Sequence, residues 1–187
     1  MNVYDFDGTI YNGDSTIDFF LYTIRKNPCA LRCLPRQVLG FALYGFKKIG
    51  KTELKEFFFS FLSEIDAEHL VCEFWEEKKH GIFDWYLQQQ HADDIIISAS
   101  PEFLLKPICR KLGIRHLIAS CVDSKTGKFS GENCRGAEKV RRLAAEYNIT
   151  HIDKFYSDSD SDLPLAQIAD QAFLIKKGKI TQWNYTE

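Results

Sequence analysis

The sequence lacks the features that direct a chain into a membrane or onto nucleic acid. Its longest apolar stretches, such as residues 38–46, fall well short of the roughly 18 residues that a membrane-spanning helix needs. Asp5 and Asp7 lie where the apolar segment of a secretory signal would have to be. With 24 basic and 26 acidic residues, the net charge is −2, which excludes a general attraction to nucleic acid. We therefore expect a cytoplasmic, globular protein.

Cysteine and histidine are present, but their spacing does not indicate a metal site. The six cysteines form no CxxC pair, and the five histidines form no HExxH motif and no Cys/His cluster. Without an export signal, we expect the thiols to stay reduced. The pattern therefore argues against both a zinc site and a disulfide-stabilised secreted domain.

The apolar pattern alternates between strands and helices, apart from one long helical block near the start. Helical periodicity runs from about residue 15 to 90, and returns after Pro101 to about 112, at 136–147 and at 163–169. The predicted strands are 3–6, 95–97, 117–122, 154–157 and 172–175. This order predicts an α/β fold with an open, Rossmann-like parallel sheet and right-handed crossovers. We predict a core of residues 1–13 and 92–187, with a helical domain of residues 14–91 inserted after the first strand.

Two aspartates follow the first predicted strand. Asp5 and Asp7 are two residues apart, so their side chains point to the same side of an extended segment. In open α/β sheets, ligands bind where loops leave the carboxyl ends of the strands. The two carboxylates can therefore converge on one ligand, although either could merely cap a turn.

Other polar side chains occupy equivalent positions later in the chain. A hydroxyl ends the second predicted strand, two carboxylates follow the fourth, and a lysine lies on the helix between. Mg²⁺ prefers oxygen ligands, commonly one or two carboxylates together with substrate phosphate, and a lysine balances phosphate charge. The pattern predicts a magnesium and phosphate site. The residues in question are Ser98, Asp158, Asp162 and Lys139.

Each of these residues also has an ordinary structural explanation. Ser98 could cap the following helix, Lys139 could be a solvated surface lysine, and Asp162 could cap the helix that starts at 163. The stretch DSDSD, 158–162, also resembles the start of a calcium-binding EF-hand loop. That motif needs Gly at position 6 and Glu at position 12, where this sequence has Leu163 and Ala169. Only the ordered set of residues favours a catalytic site.

The same ordered set resembles the haloacid dehalogenase (HAD) superfamily. The motifs are DFDGT at 5–9, the apolar run that ends at Ser98, Lys139, and Asp158 with Asp162 four residues later. A helical insertion directly after the first motif resembles the C1-capped subfamily IB, which includes phosphoserine phosphatase. The segments RKNPCALRCLP, CRGAEKV and YSDSDSDLPL are most similar to phosphatidylglycerophosphatase C-like members. One departure is Ser157, where the superfamily commonly has Gly before the fourth motif.

The resemblance implies a phosphomonoesterase that uses Mg²⁺ and an aspartyl-phosphate intermediate. Asp5 would be the nucleophile and Asp7 the general acid and base, while Ser98 would hold a phosphoryl oxygen and Lys139 would balance charge. Asp5, Asp158 and the backbone carbonyl of Asp7 would bind Mg²⁺, with Asp162 anchoring its outer shell. The remaining substrate-binding residues would be Gly8, Thr9, Ala99 and Asp14. Of these, Gly8 and Ala99 would offer backbone amides to phosphate, and Asp14 would either hold a substrate ammonium or cap the next helix.

The reaction class and the substrate have alternatives within the same fold. The HAD dehalogenases lack the second aspartate and the ion-pumping ATPases carry Thr there, so Asp7 favours a phosphatase. A phosphomutase or phosphotransferase uses the same two acids, and a non-catalytic phosphate-binding regulatory module could keep the fold. The substrate would be a small phosphate ester, either a phosphoserine-like metabolite or a lipid-headgroup phosphate.

One stretch of the insertion has an unusual charge pattern. Residues 19–52 contain no acidic residue and seven basic ones. A solvated basic helix face would explain this pattern. The alternatives are attraction to an anionic substrate or peripheral contact with an anionic membrane.

Overall fold

A computed structural model describes residues 1–184 and contains one six-stranded sheet. The strands are β1 (Asn2–Tyr4), β2 (Ile95–Pro101), β3 (His116–Ser120), β4 (Ile152–Ser157), β5 (Ala169–Lys176) and β6 (Lys179–Gln182). Their spatial order is β3-β2-β1-β4-β5-β6. Strands β1 to β5 are parallel, and β6 runs antiparallel to β5. The predicted α/β fold with a parallel sheet is confirmed.

The central strands form because their side chains are buried on both faces of the sheet. Val3 of β1 lies opposite Ile95 of β2 and Phe155 of β4, and all three are fully buried. Continuous apolar runs of this kind are typical of parallel strands covered on both faces. Strand β6 was not predicted, because all four of its residues are exposed and give no apolar signal.

Within residues 1–184, five α-helices form the insertion between β1 and β2, and three more follow the later strands. The insertion contains α1 (Ser15–Lys26), α2 (Leu34–Gly45), α3 (Lys51–Phe58), α4 (Ala67–Lys78) and α5 (Asp84–Gln89), with 3₁₀ turns at Pro28–Cys33, Phe59–Glu64 and Lys79–Gly81. The later helices are α6 (Glu102–Lys111), α7 (Ala137–Tyr147) and α8 (Leu163–Ala166). The predicted helical block therefore lies between β1 and β2, and it is divided into five helices.

Two apolar layers hold these elements together. On one face of the sheet, Leu143 of α7 and Leu165 of α8 pack with Val3 and Ile97. On the other face, one cluster joins β1, α6 and the inserted helices, and the Trp75 indole N–H donates to the backbone carbonyl of Leu104, at 2.6 Å. Since one apolar cluster runs through core and insertion, the division into domains at residues 13 and 91 stays a prediction.

Candidate active site

The ends of three adjacent strands meet at one cavity. Strand β1 lies between β2 and β4, so the segments that follow these strands are neighbours. The cavity has a volume of about 630 Å³. All of the sequence-predicted site residues except Thr9 line it, namely Asp5, Asp7, Gly8, Asp14, Ser98, Ala99, Lys139, Asp158 and Asp162.

Lys139 lies at the centre of a buried charge network. Its ammonium donates to Asp5 Oδ1 at 2.7 Å and to Asp162 Oδ2 at 2.6 Å. Its side chain is only 2% exposed, which contradicts the alternative of a solvated surface lysine. Burial alone would lower the pKa of Lys139, but the two carboxylates outweigh it and hold this pKa above its ordinary value. Lys139 therefore stays charged between two carboxylates that are 134 and 23 positions away in the sequence.

The carboxylates at the site are crowded, and two of them, Asp5 and Asp162, are buried, whereas Asp158 is exposed. Burial raises the pKa of Asp5 to about 7, although the charge of Lys139 opposes the shift. Partial burial also raises the pKa of Asp158, and the charge of Asp162 contributes in the same direction. Clustered carboxylates with raised pKa values are stabilised in their charged form by an added cation.

Asp7 is held by hydrogen bonds to both of its carboxylate oxygens. The backbone N–H of Ser15 donates to Oδ1 at 2.6 Å, and the hydroxyl of Ser100 donates to Oδ2. Burial, and next the charge of Asp14, raise the pKa of Asp7 to about 6. Ser100 was not among the predicted site residues. Its position two residues after Ser98 was the signal that could have found it.

Asp14 fills the capping role that the sequence left open. Its side chain accepts a hydrogen bond from the backbone N–H of Ile17, at 3.0 Å, and so caps α1. It also lines the cavity. Capping therefore does not remove Asp14 from the site, and its contact with a substrate ammonium stays a prediction.

Gly8 and Thr9, in the loop after β1, have structural surroundings that the sequence did not indicate, and their contact with substrate stays a prediction. The backbone N–H of Gly8 donates to the carbonyl of Gly13 at 2.9 Å, so this amide is engaged within the loop. Gly8 instead provides room, because a Cβ there would lie 2.1 Å from Asp158 Oδ2 and its φ is +71°. Thr9 is fully buried and is not part of the cavity wall, because the turn directs it inward.

Two residues have different structural partners from those that the sequence suggested. Ser98 does not cap a helix, since α6 starts at Glu102 and its cap position is Pro101. The hydroxyl of Ser98 instead accepts the backbone N–H of Ser100 at 3.1 Å. Asp162 precedes α8 but makes no capping bond, because its Oδ2 accepts from Lys139 and from the hydroxyl of Ser157, at 2.9 Å.

The insertion contributes a partly buried cation that was not predicted. Lys55 of α3 donates to the backbone carbonyl of Ala99 and to Asn133 Oδ1, both at 2.8 Å. Burial lowers the pKa of Lys55 to about 8. Lys51 and Arg135 also line the cavity. The cavity wall therefore contains basic side chains as well as carboxylates, together with apolar side chains of the insertion such as Leu54, Phe58 and Phe59.

Within residues 1–184, no three or more His, Cys, Asp or Glu side chains are grouped as a metal site. A Mg²⁺ site does not need three such side chains, because two carboxylates and a backbone carbonyl match its usual ligand set. Asp5 and Asp158 line the same cavity and could supply the carboxylates.

Comparison with known proteins gives relatives that are named as phosphatases. A probable phosphatase from Mycobacterium tuberculosis is 36% identical over 91 residues, which are 44% of this chain and 31% of that protein. A histidinol-phosphatase from Neisseria meningitidis is 26% identical over 205 residues, covering 90% of this chain and 86% of that protein. The matched region thus spans less than a third of the mycobacterial protein.

Solved structures share the fold at low sequence identity. A Bordetella pertussis protein of unknown function has a TM-score of 0.68 at 21% identity, with 92% of this chain and 87% of that chain covered. A probable phosphoserine phosphatase from Vibrio cholerae has a TM-score of 0.66 at 14% identity, with 91% and 55% covered. The family model for haloacid dehalogenase-like hydrolases matches residues 3–167. The chain belongs to the haloacid dehalogenase-like hydrolase family.

Proposed function

We propose that this protein is a Mg²⁺-dependent phosphomonoesterase that forms a covalent intermediate on Asp5. The observation that carries the proposal is the network in which Lys139 bridges Asp5 and Asp162 at the wall of the strand-end cavity. A carboxylate nucleophile divides a difficult hydrolysis into two easier steps. Uncatalysed phosphate monoester hydrolysis is slow enough that enzymes accelerate it by up to about 10²¹-fold.

In the first step, a carboxylate oxygen of Asp5 attacks phosphorus and the P–O bond to the leaving group breaks. Asp7 gives its proton to the departing oxygen, so that an alcohol leaves. In the second step, Asp7 takes a proton from water as the water oxygen attacks phosphorus, and Asp5 is released with inorganic phosphate. General acid and base catalysis of this kind contributes about 10²- to 10⁴-fold.

The other predicted residues would bind the phosphoryl group and balance its charge. Ser98 would donate its hydroxyl to a phosphoryl oxygen. Lys139 would keep Asp5 ionised and oriented for attack, which its position against Asp5 Oδ1 supports. Asp14 and Ala99 stay candidates for substrate contact because both line the cavity.

Mg²⁺ would be held by the carboxylates of Asp5 and Asp158 and by the backbone carbonyl of Asp7. Asp162 would not bind the ion directly but would stabilise the surrounding residues through its hydrogen bonds with Lys139 and Ser157. The fit rests on the donor set, which consists of oxygen atoms with an excess of negative charge. When bound, the ion would neutralise charge that accumulates on the phosphoryl oxygens.

The test is hydrolysis of p-nitrophenyl phosphate by the purified protein, with Mg²⁺ and with EDTA. We expect turnover with Mg²⁺ and none after Asp5→Asn, because the amide is isosteric but a poor nucleophile. Circular dichroism would check that the variant is folded. Substantial turnover by Asp5→Asn without deamidation would contradict the nucleophile assignment. Absence of turnover in the wild type would favour the non-catalytic module, and transfer of phosphate between two positions of a sugar phosphate would favour a mutase.

The substrate would be a small phosphate ester. One candidate is a phosphoserine-like metabolite, and the surface of the insertion favours a second candidate, the phosphate of a lipid headgroup. We define the α2 face as the exposed apolar side chains of this region, which are Leu34, Val38, Leu39, Phe41, Tyr44 and Phe46. Val38 is 65% and Phe46 77% exposed. Large exposed apolar patches commonly mark interaction sites.

Basic side chains and the cavity both adjoin the α2 face. Arg32, Arg36, Lys47 and Lys48 are exposed nearby, and Phe41 belongs both to the face and to the cavity wall. Apolar and basic groups together bind anionic lipid surfaces. No helix within residues 1–184 is long and apolar enough to cross a membrane. We therefore propose a cytoplasmic protein, with peripheral contact to an anionic membrane and a lipid-headgroup phosphate as the second candidate substrate.

A further inference from the structure

A cluster of three hydroxyl groups adjoins Asp7, and the proposed reaction does not use them. Ser100, which donates to Asp7 Oδ2, has its own hydroxyl oxygen 3.0 Å from Thr16 Oγ1. The hydroxyl oxygen of Ser15 lies 3.4 Å from the hydroxyl oxygen of Ser100. Ser15 is fully buried and Ser100 nearly so. These groups come from two places that are far apart in the sequence, strand β2 and the first turn of α1.

The direction of these hydrogen bonds follows from the number of protons available. A serine hydroxyl has one proton and two lone pairs. Since Ser100 donates its proton to Asp7, it can only accept from Thr16, and Thr16 is therefore the donor. Ser100 therefore accepts from Thr16 at 3.0 Å and more weakly from the hydroxyl of Ser15 at 3.4 Å, and it donates to Asp7. Thr16 thus fixes the rotation of the Ser100 hydroxyl toward Asp7.

The local backbone of β2 explains how Ser100 reaches Asp7. The pairing of β2 with β3 shifts register between Ser98 and Pro101. Irregularities of this kind re-aim side chains and are common next to active sites. The hydroxyl of Ser98 accepts the backbone N–H of Ser100 at 3.1 Å, which fixes the irregular segment. Both serines line the cavity.

We propose that Ser100, oriented by Thr16, is a positioning residue that aligns the Asp7 carboxyl with the leaving oxygen. This inference rests on the proposed function, in which Asp7 is the general acid. The Ser15 N–H holds one carboxylate oxygen and Ser100 holds the other, so the plane of the carboxyl is fixed by two bonds. Loss of the Ser100 hydroxyl frees the carboxyl to rotate, and proton transfer depends steeply on geometry.

The consequence is specific to the leaving group. A nitrophenolate leaves without protonation, whereas a phenolate or an alkoxide needs the proton from Asp7. Ser100→Ala should therefore lower kcat/KM by about 10- to 100-fold for phenyl and alkyl phosphates, which is part of the whole contribution of a general acid. The loss for p-nitrophenyl phosphate should stay below about threefold, because little of that contribution is needed there.

The experiment measures kcat/KM with saturating Mg²⁺ for a series from p-nitrophenyl phosphate through phenyl phosphate to an alkyl phosphate. In Thr16→Val, as in Ser100→Ala, kcat/KM should fall more steeply with rising leaving-group pKa than in the wild type. Thr16→Ser keeps the hydroxyl and should retain the wild-type dependence. Ser60→Ala is the matched control, since Ser60 is buried and its hydroxyl has no hydrogen-bond partner in the described residues.

The outcomes separate this inference from the proposed function. A steeper dependence in Ser100→Ala and Thr16→Val, with unchanged thermal stability, supports the positioning role. An equal loss for every ester indicates a structural role and overturns it, as does an unchanged profile in both variants. A wild type that hydrolyses none of the esters overturns the proposed function and this inference together.

Discussion

Replacement of Lys139 by Met would test the charge network on which the site depends. The Lys139 side chain is 2% exposed, and its partners Asp5 and Asp162 are 11% and 2% exposed. Methionine has a similar length but no charge, so the variant would leave two buried carboxylates without their cation. Removing one partner of a buried ion pair costs about 3–5 kcal/mol, and two orphaned partners place the expected loss in the upper half of that range.

The assay is thermal unfolding in EDTA, so that no added cation replaces the ammonium. In a chain of this size, about 1 kcal/mol shifts Tm by about 2–4 °C, so we expect Lys139→Met to lower Tm by about 8–20 °C. Adding Asp162→Asn to Lys139→Met should recover part of the loss, because it removes one of the unpaired charges.

The matched control is Lys128→Met, which breaks the pair with Glu56 at 2.9 Å. Lys128 is 60% exposed, and exposed pairs contribute about 0–1 kcal/mol. A Lys139→Met protein within about 1 kcal/mol of the wild type would refute the reasoning. Lys139 would then behave like the solvated lysine that its sequence context suggests.

Three further predictions address the loop, the metal and the surface. Gly8→Ala should raise the Mg²⁺ concentration needed for half-maximal activity, because its Cβ would lie 2.1 Å from Asp158 Oδ2; an unchanged Mg²⁺ titration would contradict this. Activity should require Mg²⁺ and be inhibited by Ca²⁺, which takes more oxygen ligands in a looser geometry; full activity of metal-stripped protein in EDTA would remove the metal from the account. The protein should co-sediment with vesicles that contain phosphatidylglycerol and not with neutral vesicles, and salt should weaken this binding. Changing Arg32, Arg36, Lys47 and Lys48 to Gln should abolish vesicle binding, since each basic residue contributes about 1 kcal/mol near an anionic surface. Hydrolysis of p-nitrophenyl phosphate should survive these changes. Equal sedimentation with both vesicle types at low salt would favour a soluble ester as substrate.

The sequence was sufficient for the five parallel strands of the sheet and for the carboxylates that follow two of them. Strands β1 and β2 contain short apolar runs that are buried on both sides, and residues 155–157 of β4 are buried as well; this composition is visible without a structure. Asp5, Ser98 and Asp158 follow from where those runs end. The edge strand β6 could not be predicted in this way, because an exposed hairpin strand needs no apolar residues.

The residues that were missed depend on contacts between distant parts of the chain. Ser100 lies 93 positions from Asp7, and Lys55 lies 44 positions from Ala99. No local pattern records such contacts. Lys139 shows the same limit, since its neighbours on α7 are equally polar and only the folded structure distinguishes a buried lysine from an exposed one.

The segment between β4 and α8 shows where local patterns mislead. Asp162 precedes α8, so its sequence position predicts a cap, but its Oδ2 accepts instead from Lys139 and from the hydroxyl of Ser157. The stronger, charge-assisted bond is formed. Capping preferences therefore describe what a side chain can do when no buried partner is available.

The most direct test of the central claim is to trap the covalent intermediate. The wild-type protein would be mixed with Mg²⁺ and excess p-nitrophenyl phosphate, quenched in acid within the first turnovers, digested, and mapped by mass spectrometry. We predict phosphate on the peptide that contains Asp5, and none on the same peptide from Asp5→Asn. Rapid turnover with no phosphorylated peptide, or with phosphate on another residue, would contradict the assignment of Asp5 as the nucleophile.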